Sequence, residues 1–386
     1  MSASNGAERW LLEQLRFDRV GQDSSWSASP DWEQVVAVAR QERLAALLLD
    51  CVAALVLPED TRAQLEEVRV RTRVHNALLL MQLEKWLTRF EAANIPMIVL
   101  KGAALIALVY ERTTLRPMSD VDVLVSRADF ERAGRLMQAA GFTPYREVTG
   151  DTESTIRTQT LWLNPKLPSG GIELHWHLID SGYYANRVPI EWFWEHTLEA
   201  RLDAQRVRIF APEAQLLHLA AHLELHHAGV GWLWVYDIAA LIHKFGGALD
   251  WGLIVDTAER FEWGQSLRVA LERAQTTFGV VVSERVNARL ETLRATRQER
   301  LARVLAEPTA HQAAFLFDGL HQRDWRARAR YLRRALFPAA EFMRVHGPIR
   351  NHRDLAWQYL LRLGRGMYRI PHALWAGMAQ LWRAAR

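Results

Sequence analysis

The stretch from Ile95 to Val125 constrains the fold of this chain most. It opens with an apolar run of strand type that ends at Lys101-Gly102, and a short helical segment follows. A second strand-type run then contains Asp120 and Asp122 between valines. Because the side chains of a strand alternate between faces, the two carboxylates share one face and the valines point to a core. The pattern therefore predicts a strand–helix–strand unit with two carboxylates on one side.

Paired carboxylates of this kind predict a cation site. Two ionised carboxylates on a buried sheet repel each other, and a divalent cation removes that conflict. Mg²⁺ is commonly held by one or two carboxylates together with substrate phosphates. A later strand-type run places Glu173, His175 and His177 on one face. We predict that Asp120, Asp122 and Glu173 form a site for Mg²⁺ or Mn²⁺, and that Asp120 and Asp122 contribute little to folding without the cation.

The residues around these carboxylates resemble a known superfamily, the DNA polymerase β-type nucleotidyltransferases. The resemblance is closer to a bacterial family of uncharacterised nucleotidyltransferases. It rests on Leu100-Lys101-Gly102, on the run RPMSDVDVLV at residues 116–125 and on IELHW at residues 172–176. It implies that the three carboxylates bind metal ions. It also implies transfer of a nucleoside monophosphate from a nucleoside triphosphate to an acceptor, with release of pyrophosphate. The acceptor stays open: a small molecule, a peptide, a protein or an RNA.

Four further residues are predicted to bind the nucleotide. Gly102, at a strand-to-helix turn, lets backbone N–H groups approach a phosphate, and Lys101 adds a point charge. The superfamily commonly has Gly-Ser at this turn, whereas this chain has Gly102-Ala103. The hydroxyl contact is therefore absent or comes from another residue. Arg116 and Ser119 are the candidates, with bracing of the loop as their alternative role.

The order of these patterns predicts an α+β protein. Residues 1–93 form an N-terminal helical region, with one helix expected over residues 32–57 and a longer one over residues 59–93. Residues 94–200 form the nucleotidyltransferase core, a small mixed sheet with helices. From Glu191 onward the pattern is again helical, which predicts a C-terminal helical region over residues 201–386.

Three histidines on one predicted helix leave alternatives open. His218, His222 and His226 recur every four residues, a spacing that can bind zinc through two imidazoles. The helix borders the nucleotide pocket, its histidines are polar interface residues, or it carries the zinc site of a zinc-dependent hydrolase. Another alternative is a non-catalytic nucleotide-binding or interaction protein of the same fold, against which the three retained carboxylates argue.

Charge and composition limit the partners and the cellular compartment that we expect for this chain. The formal net charge is +4, yet residues 321–386 hold fourteen arginines and only three acids. This basic C-terminal segment is suited to an acidic partner, with a solvated arginine-rich helical face as the alternative. Cys51 is the single cysteine, which excludes an internal disulfide. We find no signal peptide and no transmembrane segment in the sequence, and we expect a cytoplasmic protein.

Overall fold

The computed structural model describes residues 3–19, 30–53, 55–145, 158–166, 170–307, 317–322, 324–337, 343, 351–364 and 375. The basic C-terminal segment therefore lies partly outside the described residues.

Four α-helices of the described chain precede the sheet, and one prediction about them is wrong. They are α1 (Ala3–Gln14), α2 (Trp32–Gln41), α3 (Ala45–Cys51) and α4 (Glu59–Ala92). The single helix expected over residues 32–57 is divided, because Arg43 adopts a left-handed φ of 60° that cannot continue an α-helix. The long helix after residue 59 is confirmed as α4.

Five strands form the predicted small mixed sheet. They are β1 (Met97–Val99), β2 (Val121–Val125), β3 (Thr143–Pro144), β4 (Gln159–Leu163) and β5 (Ile172–His175). Their order is β1-β2-β5-β4-β3, with β2 and β5 parallel and the other pairs antiparallel. All five residues of β2 are buried. The α+β prediction, including strands from all three motif stretches in one sheet, is confirmed.

In the described ranges, two helices connect these strands. Helix α5 (Lys101–Leu105) follows β1 directly and continues into a π-helical turn, Ile106–Tyr110. Helix α6 (Phe130–Ala139) follows β2. One residue, Leu100, separates β1 from α5, and its amide donates to the carbonyl of Asp122 at 2.9 Å, so the first residue of the helix lies beside the start of β2.

The stretch after the sheet contains a hairpin where helices were expected. Strands β6 (Thr197–Leu202) and β7 (Gln205–Phe210) pair antiparallel around a turn in which Asp203 has φ 51°. Val207 and Ile209 are buried, whereas Arg206 and Arg208 are exposed. This alternation is that of a half-buried strand, and it outweighs the helical pattern of the surrounding chain. The predicted boundary between residues 200 and 201 falls inside β6, and the three-region division stays a prediction.

Helices complete the described chain, and one core joins them to the sheet. They are α7 (Gly182–Arg187), α8 (Ile190–Glu195), α9 (Pro212–Leu225), α10 (Trp232–Phe245), α11 (Trp251–Arg260), α12 (Gly264–Phe278), α13 (Glu284–Thr292), α14 (Arg297–Leu305) and α15 (Trp325–Leu336), with a further helix at residues 352–364. Buried apolar residues from Ala7 to Ala302 form one continuous cluster. Within the described ranges, no helix has the length and apolar character needed to cross a membrane.

Candidate active site

Asp122 and Glu173 lie side by side on the two parallel strands. The register pairs Asp122 of β2 with Glu173 of β5, and the same face of β5 carries His175 two residues later. His175 Nε2 lies 3.0 Å from Asp122 Oδ1 and 3.2 Å from Glu173 Oε2. One ligand atom from each of the three lies within 4.8 Å of the others. The structure thus adds the His175 ring nitrogen to two of the predicted carboxylates, Asp122 and Glu173. Strand alternation had already placed His175 on the same face as Glu173.

Lys101 provides the positive charge that balances this pair. Its Nζ lies 2.6 Å from Asp122 Oδ1 and 3.3 Å from Glu173 Oε2. Lys101 has a left-handed φ of 45°, which costs a residue with a side chain roughly 1–2 kcal/mol. The sequence predicted a phosphate contact for this lysine, and the structure places its ammonium group between the carboxylates. A direct contact with phosphate stays a prediction.

The protonation states follow from these contacts. Burial alone would raise the pKa of Asp122, but the Lys101 ammonium and the hydrogen bond with His175 hold that pKa well below its ordinary value. Burial would lower the pKa of Lys101, and the two carboxylates raise it instead. The hydrogen bonds with both carboxylates likewise raise the pKa of His175 against the effects of burial and of Lys101. At neutral pH Asp122 is therefore ionised and Lys101 is charged.

Asp120 lies at the rim of the site, just before β2. Its carboxylate is not within ligand distance of the group formed by Asp122, Glu173 and His175. The Ser119 hydroxyl donates to Asp120 Oδ1 at 3.2 Å. Burial, and then the charges of Asp122 and Glu173, raise the pKa of Asp120 to about 6. The Lys101 charge and the Ser119 hydrogen bond act in the opposite direction but do not offset burial and the two neighbouring carboxylates.

Asp120→Asn should stabilise the ion-free protein in a pH-dependent way. A carboxyl whose pKa rises from 3.8 in the unfolded chain to about 6 in the folded protein destabilises the fold once it ionises. That cost is absent below the unfolded pKa, grows as pH rises and is complete above the folded pKa. We expect the free energy of unfolding of the variant to exceed that of wild type by about 3 kcal/mol near pH 8 and to match it near pH 3. Urea unfolding across this range measures the difference, and a constant difference would contradict the assignment.

Arg116 braces the fold, which is the alternative role considered for it. Arg116 Nη2 donates to Asp237 Oδ2 at 2.8 Å, and Nε donates to Oδ1 at 3.3 Å. The Tyr110 hydroxyl donates to the same Oδ1 at 2.6 Å. Arg116 is 5% exposed and Asp237 is fully buried. We refer to Arg116, Asp237 and Tyr110 as the buried triad.

Gly102 makes room for this arrangement. A Cβ at residue 102 would lie 2.7 Å from Arg116 Nη1 and 2.9 Å from Met118 Cγ. Both distances are shorter than real Cβ contacts allow, so a side chain here would displace its neighbours. The glycine therefore has a packing explanation that does not need a ligand, and its predicted phosphate contact stays a prediction.

Sequence reasoning missed Arg43, which lies at the corner between α2 and α3. Arg43 Nη2 donates to the carbonyl of Pro117 at 3.0 Å, close to the loop that enters β2. Burial and the neighbouring Arg116 lower the pKa of Arg43, while the charges of Asp120 and Asp237 act in the opposite direction. It is half-buried. No periodicity marks this residue, because it reaches the site through a break in a helix.

The histidine helix also differs from its prediction. His218 is fully buried between Phe210 and His222, at ring-centroid distances of 5.7 and 6.0 Å. Neither of its ring nitrogens has a hydrogen-bond partner in the described part of the chain. His222 and His226 instead converge with His227. The third member of the group is thus His227, and not His218 as the helical spacing predicted.

Comparisons with known proteins identify the class of this chain. Residues 28–279 match the model of a family described as uncharacterised nucleotidyltransferases. The match covers well over half of the sequence, and the chain belongs to this family. Among solved structures, the chain resembles the crystal structure of an antigenic nucleotidyltransferase-like protein from Paracoccidioides brasiliensis, with 15% identity and a TM-score of 0.32. That similarity covers 60% of this chain and 96% of the other. No curated protein matches the sequence significantly.

Proposed function

We propose that this protein transfers a nucleoside monophosphate from a nucleoside triphosphate to an acceptor and releases pyrophosphate. The observation that carries the proposal is the register of β2 and β5. It sets Asp122 beside Glu173, with His175 in hydrogen-bond reach of both, in a member of a nucleotidyltransferase family. The proposed reaction requires a divalent cation, either Mg²⁺ or Mn²⁺.

The donor atoms fit such a cation. Asp122 and Glu173 offer the carboxylate oxygens that Mg²⁺ and Mn²⁺ prefer, and His175 offers a nitrogen through Nε2. The Nδ1 of His175 is buried and has no hydrogen-bond partner in the described part of the chain, so its other nitrogen is the one that faces the carboxylates. When bound, the cation would neutralise the triphosphate and stabilise the charge that develops during transfer. Asp120 at the rim is the remaining carboxylate that we assign to the site.

Lys101 and Arg43 are the cations that we assign to the phosphates. Arg116 is committed to Asp237, whereas Arg43, within the described residues, donates only to the backbone carbonyl of Pro117. Lys101 follows β1 after one intervening residue, and its side chain reaches the carboxylate of Asp122 on the neighbouring strand β2. The Lys101 ammonium group would compete with a divalent cation for the carboxylate oxygens. Once the cation displaces it from them, the ammonium group would bind a phosphate of the triphosphate. Ser119, beside Asp120, adds a hydroxyl donor.

Glu173 is the candidate base for the acceptor hydroxyl. Its Oε1 accepts a hydrogen bond from Gln159 Nε2 at 3.2 Å, while Oε2 faces Lys101 and His175. This arrangement fixes the carboxylate with one oxygen towards the site, as proton removal requires. The acceptor is a small molecule, a peptide, a protein or an RNA, and the basic C-terminal segment is suited to an acidic one. Nucleoside triphosphates are cytoplasmic metabolites, and we assign the protein to that compartment on this ground.

Lys101→Met should raise the affinity for Mn²⁺ and lower the affinity for a triphosphate. The substitution removes the competing ammonium group, and we expect Mn²⁺ to bind about tenfold more tightly, which corresponds to roughly 1.4 kcal/mol. Binding of a nucleoside triphosphate in the presence of Mn²⁺ should weaken, because one phosphate partner is lost. Electron paramagnetic resonance of free Mn²⁺ measures the first effect, and equilibrium dialysis measures the second.

Lys244→Met is the matched control for that variant. Lys244 pairs with Glu111 on the surface, away from the sheet, and its loss should change neither affinity. Unchanged Mn²⁺ affinity in Lys101→Met would show that the ammonium group does not compete for the cation position.

Label transfer tests the proposed reaction. The protein is incubated with cell extract, a divalent cation and a nucleoside triphosphate labelled at either the α- or the γ-phosphate. Nucleotidyl transfer predicts that only the α-label enters an extract component, while the γ-label leaves as pyrophosphate. Transfer of the γ-label would indicate a kinase. Cation-dependent nucleotide binding without any transfer would favour the non-catalytic nucleotide-binding alternative.

A further inference from the structure

Three histidine rings converge at the end of α9. His222 lies in the last turn of the helix, and His226 and His227 follow its final residue. The ring centroids lie 5.0 Å apart for His222 and His226, 4.5 Å for His222 and His227, and 4.9 Å for His226 and His227. One nitrogen from each ring lies within 4.8 Å of the other two. We refer to these three residues as the histidine cluster.

The position of one ring is fixed by its surroundings. His227 stacks on Trp234 of α10 at a centroid distance of 3.6 Å and an interplanar angle of 14°. The Trp234 ring in turn lies where a side chain of residue 231 would be. Gly231 has φ 109°, and a Cβ there would lie 2.3 Å from the Trp234 ring. The absent side chain at Gly231 thus allows Trp234 to orient His227, and a positioned ring loses less entropy when it binds a ligand.

The rings are in the state that binds metals. Burial, followed by the charge of Lys101, lowers the pKa of His222 well below its ordinary value. Burial, followed by the neighbouring His226, lowers the pKa of His227 to about 3. The pKa of His226 is lowered in the same direction, first by burial. Neutral imidazole is the form of histidine that ligates metals, and burial favours this form.

The ring nitrogens are also available. In the parts of the chain that the structure describes, the three rings contact one another and Trp234, and none donates to or accepts from another group through its ring nitrogens. Ring nitrogens that make no hydrogen bond within the described protein can ligate a shared cation without breaking an existing contact.

We infer that the histidine cluster binds a transition-metal dication of the zinc class through His222, His226 and His227. Imidazole nitrogen suits Zn²⁺ better than Mg²⁺, and three imidazoles leave a fourth position of a tetrahedral ion open to water or substrate. Helical spacing predicted a site formed by His218, His222 and His226. The structure instead groups His227, and not His218, with the other two. The histidine cluster shares no ligand with the group formed by Asp122, Glu173 and His175, although the charges of Lys101 and Asp122 both act on His227. The inference does not depend on the proposed transfer activity.

Cobalt provides the probe for this site. The full chain is stripped of metal with a chelator and titrated with Co²⁺ in the presence of excess Mg²⁺, which occupies the carboxylates. We expect one equivalent of Co²⁺ to bind with the visible absorption of a tetrahedral ion, and Zn²⁺ to displace it. His226→Gln and His227→Gln should each weaken binding by at least the roughly 100-fold that changes near metal ligands cause. Both residues are half-buried at a helix end, and circular dichroism verifies that each variant is folded.

Two control variants separate this site from other histidines and from the carboxylates. His243→Gln removes an exposed histidine outside the cluster and should leave the cobalt spectrum unchanged. Asp122→Asn should also retain the spectrum, even if it has lost every nucleotide-dependent property. Two results would overturn the inference: wild type that binds no Co²⁺, or His227→Gln that binds it as tightly as wild type. Loss of the spectrum in Asp122→Asn alone would assign the ion to the carboxylates and likewise overturn it.

Discussion

Asp122→Asn should lower nucleotidyl transfer by about 1,000-fold or more, because metal-ion stabilisation contributes several kcal/mol and each factor of ten needs roughly 1.4 kcal/mol. An amide carries no negative charge for the cation that Asp122 and Glu173 are proposed to hold. The same variant should lose the rise in melting temperature that a divalent cation and a nucleoside triphosphate together produce in wild type. Differential scanning fluorimetry measures this loss, and label transfer measures the reaction.

The structure changes one expectation for this variant. The sequence predicted that Asp122 adds little to folding without a cation, but its pKa is held well below the ordinary value by Lys101 and His175. A depressed carboxyl pKa contributes stability above the unfolded pKa, and the contribution is lost as pH falls towards the folded pKa. We therefore expect ion-free Asp122→Asn to be less stable than wild type at neutral pH by about 3 kcal/mol, the lower end of the cost of breaking a buried pair.

A conservative change elsewhere controls for the loss of charge. Asp203→Asn makes the same change in the exposed turn of the β6–β7 hairpin, where asparagine tolerates the φ of 51°. It should match wild type in transfer, nucleotide-dependent stabilisation and melting temperature. If Asp122→Asn transferred label as well as Asp203→Asn does, the carboxylates on β2 and β5 would not be the active site.

Asp237→Ala should cause the largest loss of stability of any single change discussed. Asp237 is fully buried and accepts hydrogen bonds from both Arg116 and Tyr110. Its removal leaves a buried guanidinium group without a counter-charge, at a cost of about 3–5 kcal/mol. Because Arg116 immediately precedes the loop into β2, we also expect weaker metal binding at Asp122. Urea unfolding measures the free energy, with mid-point and slope fitted separately.

Two further variants distinguish a broken pair from a lost contact. Arg116→Met with Asp237→Leu removes both charges and should recover most of the lost stability, because apolar replacements of buried ion pairs are often neutral. Asp256→Ala breaks the surface pair with Arg289 and should cost less than about 1 kcal/mol. A cost for Asp237→Ala as small as that for Asp256→Ala would contradict the role of the buried triad.

The parts of the site that lie close together in sequence were predictable. Alternation of valine and aspartate placed Asp122 on one face of a strand, and the same rule placed Glu173 and His175 on one face of another. Their neighbouring positions in the sheet followed from the resemblance, and the parallel register confirms them. The family itself is confirmed by the match over residues 28–279.

The parts that depend on distant contacts were not predictable from one sequence. Arg116 and Asp237 are 121 positions apart, and nothing in either local pattern indicates the other. Arg43 reaches the site because its own left-handed backbone separates α2 from α3, where the apolar pattern predicts one continuous helix. The β6–β7 hairpin was missed because alternation over a few residues is a weaker signal than the helical periodicity around it. His227 was missed because it lies two residues beyond the end of α9, where helical spacing no longer applies.

A crystal structure with Mn²⁺ and a non-hydrolysable nucleoside triphosphate tests the central claim most directly, because manganese is located by its anomalous scattering. We expect a manganese peak within ligand distance of Asp122 and Glu173, the triphosphate beside it, and the Lys101 ammonium group moved from the carboxylates to a phosphate. A structure in which nucleotide and manganese bind elsewhere, while Lys101 stays between Asp122 and Glu173, would contradict the central claim.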